Sequence, residues 1–363
     1  MLTFKTTGSR ESYLQALATL PAGTDYSSLL FFDIETTGLS PASAQIYMIG
    51  ALSFPKEGPP VLRQWFAASL SEEQELLRSF FAYAAPFRTL VHFNGNRFDL
   101  PFLNECSAQY HLPNSLNGKT SLDLYANIAP FRSLLGAQKL TQRALEQRLR
   151  LTREDPFTGA ELIAQYLSWL STRDEALLQN LLAHNAADVS SLPLLLPLLR
   201  ISDFFRAPIT TLALSSSGGF VTFCGESTVS LPFSLAFDSD RMKLAANENK
   251  LSLTLPLFSG SLYHYLKDYR NYYILKEDGS LLHKTLASFV DVSAREKASR
   301  ETARLPLSGD FVAVPKRMKP NTRCFQLTPN SKVLYLPLSA LREDASLCNA
   351  YFSAVLGELK LRS

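Results

Sequence analysis

Residues 28–34 read Ser-Leu-Leu-Phe-Phe-Asp-Ile, with apolar side chains at consecutive positions rather than alternating ones. A strand with one wet face alternates, so an unbroken run of this kind marks a central strand buried on both faces. A chain containing it must supply covering layers on each side of a sheet. The flanking sequence fits that demand. Two further strands are expected at residues 46–54 and 61–67, separated by the turn Pro55-Lys-Glu-Gly-Pro-Pro60. Ser71 has the pattern of an N-cap, with Gln74 three residues on, and Leu76, Leu77, Phe80, Phe81 and Ala84 follow at helical spacing. Residues 89–93 read as another buried strand, 98–110 as a helix and 119–122 as a short strand.

Three meandering strands followed by helix, strand, helix and strand is the order of a ribonuclease-H-like α/β fold, a mixed five-stranded sheet flanked by helices. From Gln138 to Leu199 the pattern is helical, with a polar break at residues 152–156; Pro193 and Pro197 are expected to end or kink the last helix. After Ile201 the composition changes, and residues 220–224, 251–255, 272–275 and 333–336 read as strands, with a closing helix over 349–361. At 363 residues, two domains are the natural expectation. The divisions are an N-terminal extension (1–26), a ribonuclease-H-like domain (27–202) and a smaller, β-rich α+β domain (203–363).

Bulk properties narrow the class. Cys106, Cys224, Cys324 and Cys348 are far apart and form no C-x-x-C pair, which argues against a zinc site or a disulfide framework and fits a reducing, cytoplasmic setting. The first residues lack the apolar core of a signal peptide, and the most apolar run, 192–199, is broken by two prolines and far too short for a bilayer, so no membrane association is expected. Net charge is only +3, so any nucleic-acid partner must be met by locally concentrated basic residues. Two such runs exist. Residues 132–153 hold Arg132, Lys139, Arg143, Arg148, Arg150 and Arg153 against Glu146 alone; residues 284–323 hold nine basic and four acidic side chains, with Tyr269, Tyr272 and Tyr273 just upstream. Either is a solvated face or a phosphate-tracking surface, and the tyrosines are core rings or platforms for bases.

Three short elements carry the chemistry. Asp33 and Glu35 stand two apart at a strand end, so both carboxylates leave one face of the sheet. His92-Phe-Asn-Gly-Asn-Arg-Phe-Asp99 ends a strand, turns at Gly95 and begins a helix at Asp99. His184-Asn-Ala-Ala-Asp188 lies in an otherwise apolar helix, with His184 and Asp188 sharing a face. Hard divalent cations take oxygen ligands from convergent elements, and a pair of them activates water and stabilises a leaving oxygen, so Asp188 can complete a cluster and His184 can take a proton from water.

Asp33-Ile-Glu-Thr-Thr-Gly38, Asn94-Gly-x-x-Phe-Asp99 and His184-Asn-x-x-Asp188 together resemble the three exonuclease motifs of the DEDD (DnaQ-like) superfamily. Leu140-Thr-Gln-Arg-Ala-Leu-Glu146, Arg153-Glu-Asp-Pro-Phe-Thr-Gly159 and His184-Asn-Ala-Ala-Asp-Val189 are similar to the YprB-type ribonuclease-H-like domain, over roughly residues 27–200. The resemblance implies metal ligation by Asp33, Glu35, Asp99 and Asp188, His184 as general base, and two Mg²⁺ or Mn²⁺ ions. It implies 3′–5′ removal of nucleotides from single-stranded DNA or RNA, with Thr36, Thr37, Leu39 and Asn94 on the substrate. One departure stands out: the superfamily's histidine lies five residues before the last Asp and its tyrosine four before, whereas here histidine takes the tyrosine spacing. Asp123 is expected to support the site rather than enter it. The competing expectation is a nucleic-acid-binding protein that keeps the fold with little catalysis.

Overall fold

The computed structural model describes residues 1–136, 139–153 and 155–359. Gln138, Glu154 and Leu361, which bound or interrupt the expected helical stretches, lie outside them. The chain forms two compact units, Met1–Arg206 with Leu231–Phe233, and Ala207–Ser230 with Ser234 onward.

The first unit is a mixed sheet in the order β1-β4-β3-β2-β5-β6. Its strands are β1 (Leu2–Thr7), β2 (Leu29–Thr36), β3 (Ile46–Ser53), β4 (Val61–Phe66), β5 (Thr89–His92) and β6 (Thr120–Asp123). β2 pairs antiparallel with β3 and parallel with β5, which pairs parallel with β6. The sheet has six strands, one more than the five expected. Leu2-Thr-Phe-Lys-Thr-Thr pairs antiparallel with β4 as a sixth strand, from Leu2 opposite Phe66 to Thr7 opposite Val61. Helix α1 (Glu11–Leu17) follows and buries Ala16 and Leu17. As an edge strand β1 is mostly exposed, and its short period-two pattern leaves little trace in the sequence.

Side chains of β2 alternate between the two faces of the sheet. Leu30, Phe32 and Ile34 enter a cluster with Leu76, Leu77 and Phe80 of α2 (Glu73–Ala84) and Phe102 and Leu103 of α3 (Asp99–Gln109). Leu29, Phe31, Asp33 and Glu35 have the opposite parity. On another core, Tyr47, Met48 and Phe66 of the sheet pack against Tyr166 and Trp169 of α6 (Gly159–Thr172) and Leu181 and Leu182 of α7 (Glu175–Leu195).

Local signals mark the helix ends unevenly. A 3₁₀ turn, Leu70–Glu72, precedes α2, and Ser71 bonds Ser69 rather than the helix amides, so the expected cap there is absent. A capping box occurs instead at α6, between Thr158 and Glu161. Pro193 sits within the last turn of α7, which ends two residues later. Short helices α4 (Leu124–Ile128) and α5 (Gln142–Arg148) precede α6. Helix α8 (Arg200–Arg206) buries Ile201 and Phe204 and stacks Phe205 on Phe131, so the first unit ends at Arg206 rather than near residue 203.

The second unit holds a five-stranded antiparallel sheet, β7 (Ile209–Ser217), β8 (Phe220–Ser227), β9 (Leu235–Ser239), β10 (Met242–Asn247) and β11 (Lys250–Pro256), in the order β7-β8-β11-β10-β9. Two three-stranded sheets accompany it, and Tyr351 and Phe352 of the helix Ala345–Leu359 pack on Phe223 of β8. Tyr272 packs edge-on to His283, Arg295 lies over the Tyr273 ring and Arg270 over Tyr269, so all three rings have intramolecular partners. No described helix is long and apolar enough to cross a membrane.

Candidate active site

The C-terminal end of β2 meets α7 because a glycine stands beside it. Asp33 is in register with Gly50 of β3. A Cβ at Gly50 would lie 2.1 Å from Asn185 Oδ1 and 2.9 Å from Val189 Cγ2, so only glycine admits α7 at this distance. Gln64 of β4 then ties the helix down, donating to the Leu182 carbonyl at 2.9 Å and to Asn185 Oδ1 at 3.1 Å. Between Glu35 and Thr36 the β2–β3 register skips Tyr47. This bulge turns the Tyr47 ring onto Tyr166, stacked at 4.2 Å, with its hydroxyl bonded to Glu35.

The result is a group in which Glu35, His184 and Asp188 each offer one ligand atom within 4.8 Å of the others. His184 Nε2 lies 3.1 Å from Asp188 Oδ2 and 3.8 Å from Glu35 Oε1. Asp99 stands close enough to Asp33 to raise the cost of ionising it. Asp99, at the first turn of α3, accepts the Ile34 amide at 3.2 Å, which joins the turn to the β2 strand.

Electrostatics mark this cluster as short of positive charge. Burial, then repulsion from Asp99, Glu35 and Asp188, pushes the Asp33 carboxyl well above its ordinary range. Burial pushes Glu35 up to about 8, against the pull of His184, and Asp99 up to about 7. Among the described residues no ion pair reaches Asp33 or Asp99. Asp188 differs: burial opposes its ionisation, but hydrogen bonds from His184 and Arg153 outweigh that and hold it below the usual range. A hard divalent cation is the charge such oxygens lack, and the donor set fits one.

In the sequence Arg153 stands in a basic run, in a polar break and in the Arg153-Glu-Asp-Pro-Phe-Thr-Gly159 segment, with no role in the site expected of it. The structure places it inside the site. Arg153 donates to Asp188 Oδ1, to Asp155 Oδ2 at 2.8 Å and to Glu146 at 3.4 Å. Asp155 Oδ2 in turn accepts from His184 Nδ1 at 2.7 Å and from Arg143 at 2.7 Å. The advance signal was the Arg153-Glu-Asp-Pro-Phe-Thr-Gly159 segment, which holds both Arg153 and Asp155. Two of the six basic residues of that run, Arg143 and Arg153, are therefore committed to carboxylates.

The expected substrate contacts fare unevenly. Leu39 is 88 % exposed beyond β2. The Thr36 hydroxyl donates to the Gly38 carbonyl at 2.7 Å and Thr37 Oγ1 accepts the Gln45 amide at 2.9 Å, so both are engaged within the turn. Asn94 adopts φ +63° and gives its amide to Asp123 Oδ1 at 2.9 Å. Asp123 also accepts the Asn96 amide at 3.1 Å and caps α4 through Ala126, so it holds the turn that delivers Asp99.

Residues 30–200 match the sequence model of the RNase_H superfamily. Three solved structures are similar at low identity. The family B DNA polymerase of the hyperthermophilic archaeon Pyrobaculum calidifontis is 16 % identical, with a TM-score of 0.39 over 70 % of this chain and 39 % of the polymerase. Exonuclease I is 12 % identical with a TM-score of 0.33, over 60 % of this chain and 55 % of its own. An ExoI/SSB-Ct complex gives 12 % and 0.28, over 61 % and 56 %. The chain thus spans less than two thirds of each. Comparison with curated proteins finds no match. The unit that contains residues 30–200, with its mixed six-stranded sheet and flanking helices, has a ribonuclease-H-like fold.

Proposed function

We propose that this domain is a metal-dependent nuclease hydrolysing phosphodiester bonds of DNA or RNA, acting 3′–5′ on single strands with two Mg²⁺ or Mn²⁺ ions. The observation that carries the reading is the convergence of Asp33 and Glu35 from β2, Asp99 from α3 and Asp188 from α7, the first three driven toward protonation by burial and Asp33 and Glu35 also by repulsion from neighbouring carboxylates. A fold used only to bind nucleic acid gains nothing from uncompensated carboxyls beside phosphate. Bound by them, divalent cations would activate a water and stabilise the leaving oxygen. The chain's own contribution is placement: Asp123 holds the Asp99 turn, Gly50 admits α7, and the Tyr47 bulge meets Glu35. Leu39, exposed at the turn after β2, would meet the terminal nucleotide, with Thr36, Thr37 and Asn94 shaping the turns around it.

The test is incubation of the full chain with 5′-labelled single-stranded DNA and RNA, in Mn²⁺, Mg²⁺ or EDTA, alongside Asp33→Asn. A ladder shortening from the 3′ end in metal, absent with EDTA and absent in the variant, supports the reading. Binding without shortening in any metal, or equal cutting by the variant, overturns it in favour of a binding protein that retains the fold.

A further inference from the structure

We propose that His184 is a metal ligand rather than a proton acceptor, and that the centre it forms with Glu35 and Asp188 takes Mn²⁺ in preference to Mg²⁺. The inference rests on the reading of this site as a divalent-cation centre and assigns the donor set within it.

Distance is the first argument. Ligand atoms on adjacent corners around an ion bound at about 2.1 Å stand about 3 Å apart. His184 Nε2 is 3.1 Å from Asp188 Oδ2 and 3.8 Å from Glu35 Oε1, which is donor-to-donor spacing. A base acting on a metal-bound water stands one water further out. His184 and Asp188 are four residues apart on one helix, the spacing by which α-helices present two ligands to one ion.

The surroundings are the second argument. Ligating histidines characteristically give their other ring nitrogen to a carboxylate, and ligating carboxylates are themselves anchored. Both features are present. Nδ1 donates to Asp155 Oδ2 at 2.7 Å, which leaves the Nε2 side of the ring directed at Glu35 and Asp188. Arg153 takes Asp188 Oδ1, leaving Oδ2 toward the cluster, and bonds Asp155 as well, so four side chains close a ring. These partners are 10 % exposed or less at Arg153 and Asp155, so the ring is built into the core of the site. Mg²⁺ is bound through oxygen and water, so an imidazole nitrogen in the donor set counts against it and in favour of a first-row transition cation such as Mn²⁺.

The experiment titrates Mn²⁺ into the full-length protein without nucleic acid and follows binding by electron paramagnetic resonance. Pulsed measurement on the bound ion then reads coupling to a directly attached ¹⁴N. The expected result is bound Mn²⁺ with an imidazole nitrogen coupling, displaced poorly by Mg²⁺. His184→Gln should abolish the coupling, and Asp155→Asn should weaken Mn²⁺ binding 10- to 100-fold. Bound Mn²⁺ without nitrogen coupling in the wild type overturns the proposal while leaving the metal centre standing, as does coupling that survives His184→Gln. No Mn²⁺ binding at millimolar concentration takes down the proposal and the metal reading beneath it. The wild-type spectrum decides the question even if a variant fails to fold.

Discussion

Arg153 donates to Oδ1 of Asp188 and leaves Oδ2 3.1 Å from His184 Nε2, so one carboxylate is divided between an internal cation and the candidate metal centre. The guanidinium also serves Asp155 and Glu146, whose side chains are 5 % and 3 % exposed. Removing one member of a buried ion-pair network leaves the others uncompensated, which costs about 3–5 kcal/mol. Arg153→Met is therefore expected to lower stability by that order in urea unfolding. Arg153→Lys should recover part of it, since an ammonium supplies charge without the fork. A loss under about 1 kcal/mol for the Met variant would show that the ring is not a structural anchor.

Gly50 makes the closeness of β2 and α7 testable at a position that carries no chemistry. Gly50→Ala places a methyl 2.1 Å from Asn185 Oδ1, and overpacking of this kind costs about 1–3 kcal/mol. Because Asn185 lies between His184 and Asp188 on α7, the variant should also weaken Mn²⁺ binding several-fold. Unchanged unfolding and unchanged Mn²⁺ affinity would together show that α7 yields without consequence.

Asp123 concentrates three backbone amides on one buried carboxylate: Asn94, Asn96 and Ala126. Asp123→Asn keeps one acceptor and turns an NH₂ toward the remaining donors, leaving at least one of them unpaired at about 1–3 kcal/mol. Hydrogen exchange gives a local readout. The Asn94 and Asn96 amides should exchange faster in the variant while amides of β3 keep their protection. Exchange unchanged at both amides would remove Asp123 from its role in presenting Asp99.

How much of this was legible in the residues differs from place to place. The buried run ending at Asp33, the turn at Gly95 and the His184–Asp188 spacing announced the sheet and its carboxylates, because burial and helical period leave direct traces in sequence. β1 left only four alternating residues, too few to mark an edge strand. Arg153 and Asp155 were invisible as site residues, since a long-range ion pair has no local period and a polar break before a proline reads as any loop. The Tyr47 bulge is also a property of register between two strands, which neither strand carries alone.

The His92 network yields a prediction in pH. His92 is fully buried, its Nδ1 accepts the Gly95 amide at 3.1 Å, and its Nε2 therefore carries the proton and donates to Ser121 Oγ at 2.9 Å. Burial pushes its pKa down from 6.5 to about 4, against the attraction of Asp123. The native protein resists the proton that the unfolded chain accepts. The contribution of neutral His92 is thus complete above pH 6.5 and is lost as pH falls from there toward 4, with a slope of at most about 1.4 kcal/mol per pH unit. Comparing wild type with His92→Gln isolates this residue from the carboxylates that also titrate in acid. The difference in unfolding free energy between the two proteins should shrink from pH 7 to pH 4.5. A difference that stays constant across that window would mean that His92 is protonated as readily in the fold as out of it.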